Sequence, residues 1–186
     1  RLLRQVLAEN ASLRTHAMPA ARLFLTTWLL ISGRVPEARE QVRLLRSEFK
    51  ISHFVVFDAL ILTQEAWVDA LDGLHAEALA RLRDALRLAA DPLSEAITPH
   101  LPSVCLTVAA VALAGLDGGV RAVDAARCLG AAEALLPPGH LQVGLERTAR
   151  DRSEARVRAA LADDEAYESA YAEGGGLSPA EATALL

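Results

Sequence analysis

The chain has 186 residues, 52% of them hydrophobic but only 4% aromatic, with a formal net charge of −5 at pH 7. That length buries a core without metal or disulfide staples, and an excess of Ala and Leu, the strongest helix formers, selects packed helices over sheets. The charge is interleaved Arg with Asp and Glu, so no basic stripe exists to neutralise a run of phosphates, and direct nucleic-acid contact is excluded from the expected roles.

Arg supplies nearly all the positive charge, with Lys50 the only lysine, a bias read as the codon composition of a high-GC bacterium. Cys105 and Cys128 lie on apolar stretches without metal-ligand spacing, which predicts two buried thiols in a reducing compartment. The most apolar run, Val104 to Leu116, falls short of the roughly 18 residues a membrane span needs. The chain opens inside a helical pattern, Leu2-Leu3-x-x-Val6-Leu7, and is therefore read as a fragment of a larger cytoplasmic protein with no membrane contact.

In chain order, the informative feature is a repeat. Gly33-Arg34-Val35-Pro36-Glu37-Ala38 recurs forty residues later as Gly73-Leu74-His75-Ala76-Glu77-Ala78, both reading G-x-x-x-E-A. Each copy follows an apolar helical segment, Ala20 to Ile31 and Phe54 to Leu71, and precedes another, Ala38 to Phe49 and Ala78 to Leu88. A glycine just past the first helix allows a left-handed backbone at little steric expense. Glu37 and Glu77 meet the positive end of the second helix, and a small alanine allows close approach. On the second helices Leu44, Leu45 and Phe49 form one stripe, and Leu79, Leu82, Leu86 and Leu88 another.

A third hairpin is expected from Val104 to Ala114, a Gly115–Gly119 turn, and Val120 to Leu136, ended by Pro137-Pro138-Gly139. Asp91-Pro92 and Thr98-Pro99 each offer a cap followed by a first-turn proline, breaking the connection between Ala90 and Pro102 into a loop and a short turn. A long polar helix follows from about Leu141 to Leu161, with Glu146/Arg150 and Glu154/Arg158 spaced for ion pairs. Asp164 to Glu173 forms a helix that stops at Gly174-Gly175-Gly176, and Ser178-Pro179-Ala180-Glu181 is a capping box. The fold expected is all-α, a helical-hairpin solenoid of about nine or ten helices. Hairpins fall at about 18–49, 53–90 and 102–136 within a repeat region 1–136, and 140–186 is a C-terminal helical extension or cap.

The hairpin unit resembles a tetratricopeptide repeat (TPR), although its period is longer than the usual 34 residues and its tryptophan-leucine-glycine signature is incomplete. A more specific resemblance rests on Ala125-Ala126-Arg127-Cys128-Leu129-Gly130-Ala131-Ala132-Glu133-Ala134-Leu135. It continues in Ala155-x-x-x-Ala159-Ala160-Leu161, Tyr167, Tyr171-Ala172-Glu173-Gly174 and Leu177-Ser178-x-x-Glu181-Ala182. Over about residues 100 to 186 this arrangement is similar to the TPR-like C-terminal region of large bacterial transcriptional regulators. These are the LuxR-type regulators with an internal ATPase and the related regulators with a bacterial transcriptional activator domain. The resemblance implies that DNA binding and nucleotide hydrolysis sit in other domains of the parent. The helical region would bind a protein or small-molecule effector and hold the regulator in check. The run Gly174-Gly175-Gly176 departs from the family, which has one glycine there.

The expected function is thus a non-catalytic sensor or interaction region with no cofactor and no metal; the alternatives are a TPR-like adaptor unrelated to transcription and a helical enzyme with a deep, titratable pocket. No glycine-rich phosphate loop accompanies Lys50. Asp163-Asp164-Glu165 suits helix capping better than metal binding. His16, His53, His75, His100 and His140 are scattered at helix ends and turns, where surface or cap positions are expected. Ser103 near Cys105 and His100 lacks the elements of a nucleophilic site. Counting six and ten residues back from Gly73 puts Trp67 and Thr63 on the inner face of a TPR-like superhelix, with Thr27 and Leu23 as first-repeat equivalents. These four are the candidate binding residues. The same count turns Trp28 toward its hairpin partner, as core.

Overall fold

The computed structural model describes residues 17–49, 54–142 and 144–186. The pattern at Leu2–Leu7, His16, Lys50, His53 and the Phe49 side chain lie outside the described residues and side chains. The fold is all-helical, with ten α-helices and no strand among the described residues.

The first hairpin pairs α1 (Ala17–Ile31) with α2 (Val35–Phe49), and the second pairs α3 (Val55–Leu71) with α4 (His75–Ala89). Their turns share one backbone solution. Gly33 and Gly73 have φ of 73° and 83°, and the next residue's N–H reaches five residues back, Arg34 to the Leu29 carbonyl at 2.8 Å and Leu74 to the Asp69 carbonyl at 2.9 Å. This is a Schellman closure, which satisfies helix-end carbonyls only when the residue past the cap is left-handed. Nothing lies within 4 Å of where a β-carbon would stand on either glycine, so backbone handedness and not space dictates the residue. Ala38 and Ala78 are fully buried where the second helices first touch the first, and Leu45 and Ala85 are buried further along. Leu79 and Leu82 join the core, while Leu44, Leu86 and Leu88 are half-buried.

The connection after Ala89 holds one short helix, α5 (Pro92–Ile97), capped by the Asp91 carboxylate accepting from the Leu93 N–H at 2.9 Å. Thr98, expected to open a helix with Pro99, instead closes this one, its hydroxyl donating to the Ser94 carbonyl at 3.0 Å. Helix α6 (Leu101–Gly115) starts three residues earlier than expected. A 3-10 turn (Leu116–Gly119), with Asp117 and Gly118 at positive φ, leads to α7 (Ala122–Ala134). Together with that turn, Leu101–Gly119 is long and apolar enough by length and composition alone to cross a membrane, although the α-helix itself ends at Gly115 and Asp117 and Gly118 interrupt the helical backbone. In this fold the segment is the central core element, packed on by α3, α4, α7 and α8 (Leu145–Leu161).

The polar helix α8 begins at Leu145, after Gly144 at φ 56°, and not near Leu141. It runs back over α6 and α7 and reaches α1, where the Arg152 guanidinium donates to the Ile31 carbonyl. Of the two ion pairs expected on it, Glu154–Arg158 forms at 2.9 Å and Glu146–Arg150 does not. Arg150 is buried and donates to the Tyr171 hydroxyl at 2.7 Å, and Glu146 faces His140.

Helix α9 (Asp164–Gly175) opens on Asp163, whose carboxylate accepts from the Ala166 N–H at 3.0 Å, and runs through Gly174 instead of stopping before it. It crosses α7 at glycines: a β-carbon on Gly130 would meet the Tyr171 carbonyl oxygen at 2.0 Å, and one on Gly174 the Arg127 carbonyl oxygen at 2.0 Å. Helix α10 (Pro179–Ala184) carries the expected capping box, Ser178 with Glu181. Arg121 then ties the Leu185 carbonyl to α7 at 2.7 Å.

The helix crossing gives a stability test with an internal control. Gly130→Ala and Gly174→Ala each force two backbones apart and lower stability by about 2–4 kcal/mol. Gly175→Ala, where a β-carbon meets nothing within 4 Å, is neutral or stabilises by up to about 1 kcal/mol. Urea-denaturation midpoints of the three variants check this; equal losses at all three would show that the crossing is not backbone-limited.

Candidate functional site

Helix spacing aligns three inner faces. Leu23 and Thr27 lie one turn apart on α1; Leu60, Thr63, Gln64 and Trp67 form an i, i+3, i+4, i+7 stripe on α3; Leu101, Val104 and Val108 do the same on α6. These faces bound a mainly apolar cavity of about 310 Å³, covered by Leu145, Glu146, Ala149 and Arg150 of α8 and by the segment from Leu136 to Gln142. All four sequence-derived candidates, Leu23, Thr27, Thr63 and Trp67, line this one cavity. Thr63 and Trp67 are buried, and Leu23 and Thr27 are half-buried.

Polar groups join the threonines along the walls. Gln64 is 8% exposed, and its amide nitrogen lies 3.1 Å from the Thr27 hydroxyl. Sequence reasoning passed over Gln64 because a lone glutamine on an apolar helix carries no motif. His100 and His140 also line the cavity, their rings stacked at 5.3 Å between centroids with planes 19° apart. His140 Nε2 lies 3.0 Å from a Glu146 oxygen. A carboxylate can only accept, so that nitrogen carries the proton. His100 holds the cap position expected of it, as the N-cap residue of α6, and the fold also brings it onto His140, forty positions away. His75 stands at the helix end expected of it, as the first residue of α4, with its ring packed against Gly115 and its Nδ1 buried without a partner among the described residues.

Burial pushes the His100 pKa below its ordinary value, with neighbouring His140 acting the same way and Glu146 opposing both. Burial also raises the Cys105 and Cys128 thiols to about 12, so both are protonated at neutral pH. Both cysteines are free and fully buried, as their apolar surroundings predicted. Ser103 is buried on the cavity wall. Trp28 departs from expectation: it is 41% exposed, and the Arg34 guanidinium lies 5.8 Å from its ring. Its outward turn follows from α1, whose inner face is spent on Leu25, Leu29 and the cavity residues.

A second concavity between α2, α3 and α4 is lined by Arg39, Arg43, Arg46 and Arg81. Each guanidinium faces a carboxylate: Arg46 pairs with Glu65 at 2.6 Å, Arg43 with Glu40 at 2.6 Å, Arg81 with Asp69, and Arg39 with Asp72. The groove is therefore internally neutralised. Among the described residues no group of three or more His, Cys, Asp or Glu side chains is placed to hold a metal. No family model, no curated protein and no solved structure matches the chain.

The depressed His100 pKa sets a pH dependence. The unfolded chain, titrating near 6.5, binds more protons than the folded one as pH falls through that value, so stability is constant above about 6.5 and declines below it. His100→Gln removes this part of the decline. Melting temperatures measured from pH 7.5 to 5.5 therefore fall less steeply for the variant than for the wild type; parallel slopes would refute the assignment.

Proposed function

We propose that this helical domain is the non-catalytic sensor region of a larger bacterial transcriptional regulator, acting by binding a small-molecule effector in the cavity between α1, α3, α6 and α8. The single observation that carries the reading is the convergence of Leu23, Thr27, Thr63 and Trp67 on one apolar cavity with a few polar groups, the usual character of a ligand site. Supporting it, the cavity is bounded by elements far apart in sequence. An occupant that prefers α8 seated on α1 and α6 stabilises that arrangement over one with α8 displaced, and other domains of the parent would read the difference. The two Schellman turns forty residues apart support reading the hairpins as divergent TPR-like repeats. The transcriptional assignment itself rests on the resemblance of residues 100 to 186, and the cytoplasmic location follows from it.

The adaptor alternative needs an open groove for an extended partner, and α8 lies over that face. The enzyme alternative would draw on His100, His140 and Glu146. His140 Nε2 is bonded to Glu146, and the Cys105 sulfur lies 3.3 Å from the Thr63 hydroxyl, directed to a threonine and not to an imidazole.

Trp67 makes the reading testable. In a Trp28→Phe background, a saturable change in Trp67 emission is expected on titration with 1-octanol as a small apolar probe. The probe raises stability by about 2.7 kcal/mol at a hundred times its Kd. Val104→Phe, which fills the cavity, weakens binding at least tenfold while the melting temperature stays within a few degrees. Absence of saturable binding, or equal binding by the filled variant, would remove the cavity from the functional account.

A further inference from the structure

Where α8 meets the end of α1, its residues break the usual pattern of a packed helix. Ala149, Arg152, Ser153 and Arg156 stand at i, i+3, i+4 and i+7, the spacing of one helix face, and all four line a recess of about 270 Å³. The recess adjoins the main cavity, sharing Trp67 and Ala149 with it. Its other side chains are Leu30 and Ile31 of α1, Val35 of α2, Leu71 of α3 and Val111 of α6. A helix face turned on such walls is ordinarily apolar, and this one carries two arginines.

The charge of the recess is unbalanced, because no carboxylate lines it. Arg152 gives an N–H to the Ile31 carbonyl, which fixes its guanidinium at the recess, and its other N–H groups have no partner among the described residues. Arg156 makes neither a hydrogen bond nor an ion pair with any described residue. The groove between α2, α3 and α4 is built differently, each guanidinium there facing a carboxylate. The carbonyl end of α1 would oppose an anion, but its last four carbonyls each already receive a donor. Trp28 accepts from the Ser32 N–H at 3.0 Å, Leu29 from Arg34 at 2.8 Å, Leu30 from Gly33 at 3.0 Å, and Ile31 from Arg152. Of the remaining polar side chains, Ser153 gives its proton to the Ala149 carbonyl at 3.0 Å, and the Trp67 indole N–H is a donor.

We infer that this recess is a second ligand site, for a small carboxylate with an apolar body. The carboxylate takes the free N–H groups of Arg156 and Arg152, the geometry a guanidinium matches best, and the body lies against Leu71, Val111 and Trp67. Two cations one turn apart repel each other, and a bound anion relieves that repulsion. A neutral alcohol would leave both charges unmatched, an amine would add a third, and a bare phosphate would leave the apolar walls uncovered. The occupied site bridges α8 to the end of α1, and it stands or falls separately from the main cavity.

Hexanoate, 1-hexanol and inorganic phosphate separate these cases, each titrated into Trp28→Phe/Val104→Phe protein, where the main cavity is filled and Trp67 emission reports. Hexanoate is expected to bind saturably, and about tenfold more tightly than either other probe, the effect of charge-assisted hydrogen bonds. Its affinity falls as sodium chloride is raised from about 50 to about 500 mM. Arg156→Gln weakens hexanoate about tenfold, and Arg156→Lys, which keeps the charge, stays within about threefold of the parent. Arg156 is exposed, so both variants keep the parent melting temperature, and 1-octanol binding to the unfilled main cavity is unchanged in them. Hexanol binding as tightly as hexanoate overturns the anion requirement, and phosphate binding as tightly overturns the apolar body. Undiminished hexanoate binding by Arg156→Gln overturns the site itself. Octanol binding to the main cavity with no hexanoate binding here overturns this site and leaves the proposed function standing; hexanoate binding with no octanol binding does the reverse. Where Val104→Phe fails to fold, the same titrations in Trp28→Phe protein saturated with 1-octanol decide the matter.

Discussion

Helix α6 has to hide its whole circumference, and much of the architecture follows from that requirement. From Cys105 to Ala114 every residue is buried, and the run alternates Val and Leu with Ala109, Ala110, Ala112 and Ala114. A helix apolar all round needs neighbours on all sides, and the alanines let α3, α4, α7 and α8 approach closely enough to supply them. Two hairpins alone leave part of that circumference wet. The return of α8 across α6 covers it, although α8 is one of the most polar helices in the chain.

A polar helix can serve as a lid only if its charges find partners at the edges of the apolar strip. Ala149, Ser153 and Val157 form the buried stripe of α8, and the arginines beside them reach outward to different elements. Arg152 reaches the end of α1, Arg150 reaches Tyr171 of α9, and Arg158 reaches Glu154, Asp164 and Glu168. Exposed ion pairs of this kind contribute little each, about 0–1 kcal/mol, so the lid is held mainly by its narrow apolar stripe. On the sensor reading proposed above, that is the setting in which a ligand of modest affinity would shift how firmly α8 is seated.

Local chemistry was legible in the sequence, and long-range juxtaposition was not. Gly33 and Gly73 announced their turns because left-handed backbone is a property of one residue, and Ser178 and Glu181 announced their capping box because both partners lie within one turn. The four cavity residues could be named because inner faces follow from counting along a helix. The stack of His100 on His140, the burial of Arg150 and the orphaned Gln64 carbonyl arise where elements far apart in the chain meet, the return of α8 among them. Nothing periodic in the sequence encodes that return. Trp28 shows the limit of counting from the other direction: one residue from Thr27 is a rotation of about 100°, enough to carry it from the inner face to solvent.

The three glycines after Glu173 illustrate how one local signal can hold two different constraints. A glycine run reads as a helix stop, because glycine weakens helices. Gly174 is nevertheless helical, and it is a glycine because the backbone of Arg127 stands where its β-carbon would be; Gly130 meets Tyr171 in the same way from the other side. Two reciprocal glycines therefore set the distance between α7 and α9. That distance places Tyr171 where its hydroxyl can accept from Arg150, tying the seat of α8 to a backbone contact remote from the cavity. The glycine that looks like punctuation in the sequence is thus a spacer, and the packing behind the lid depends on it.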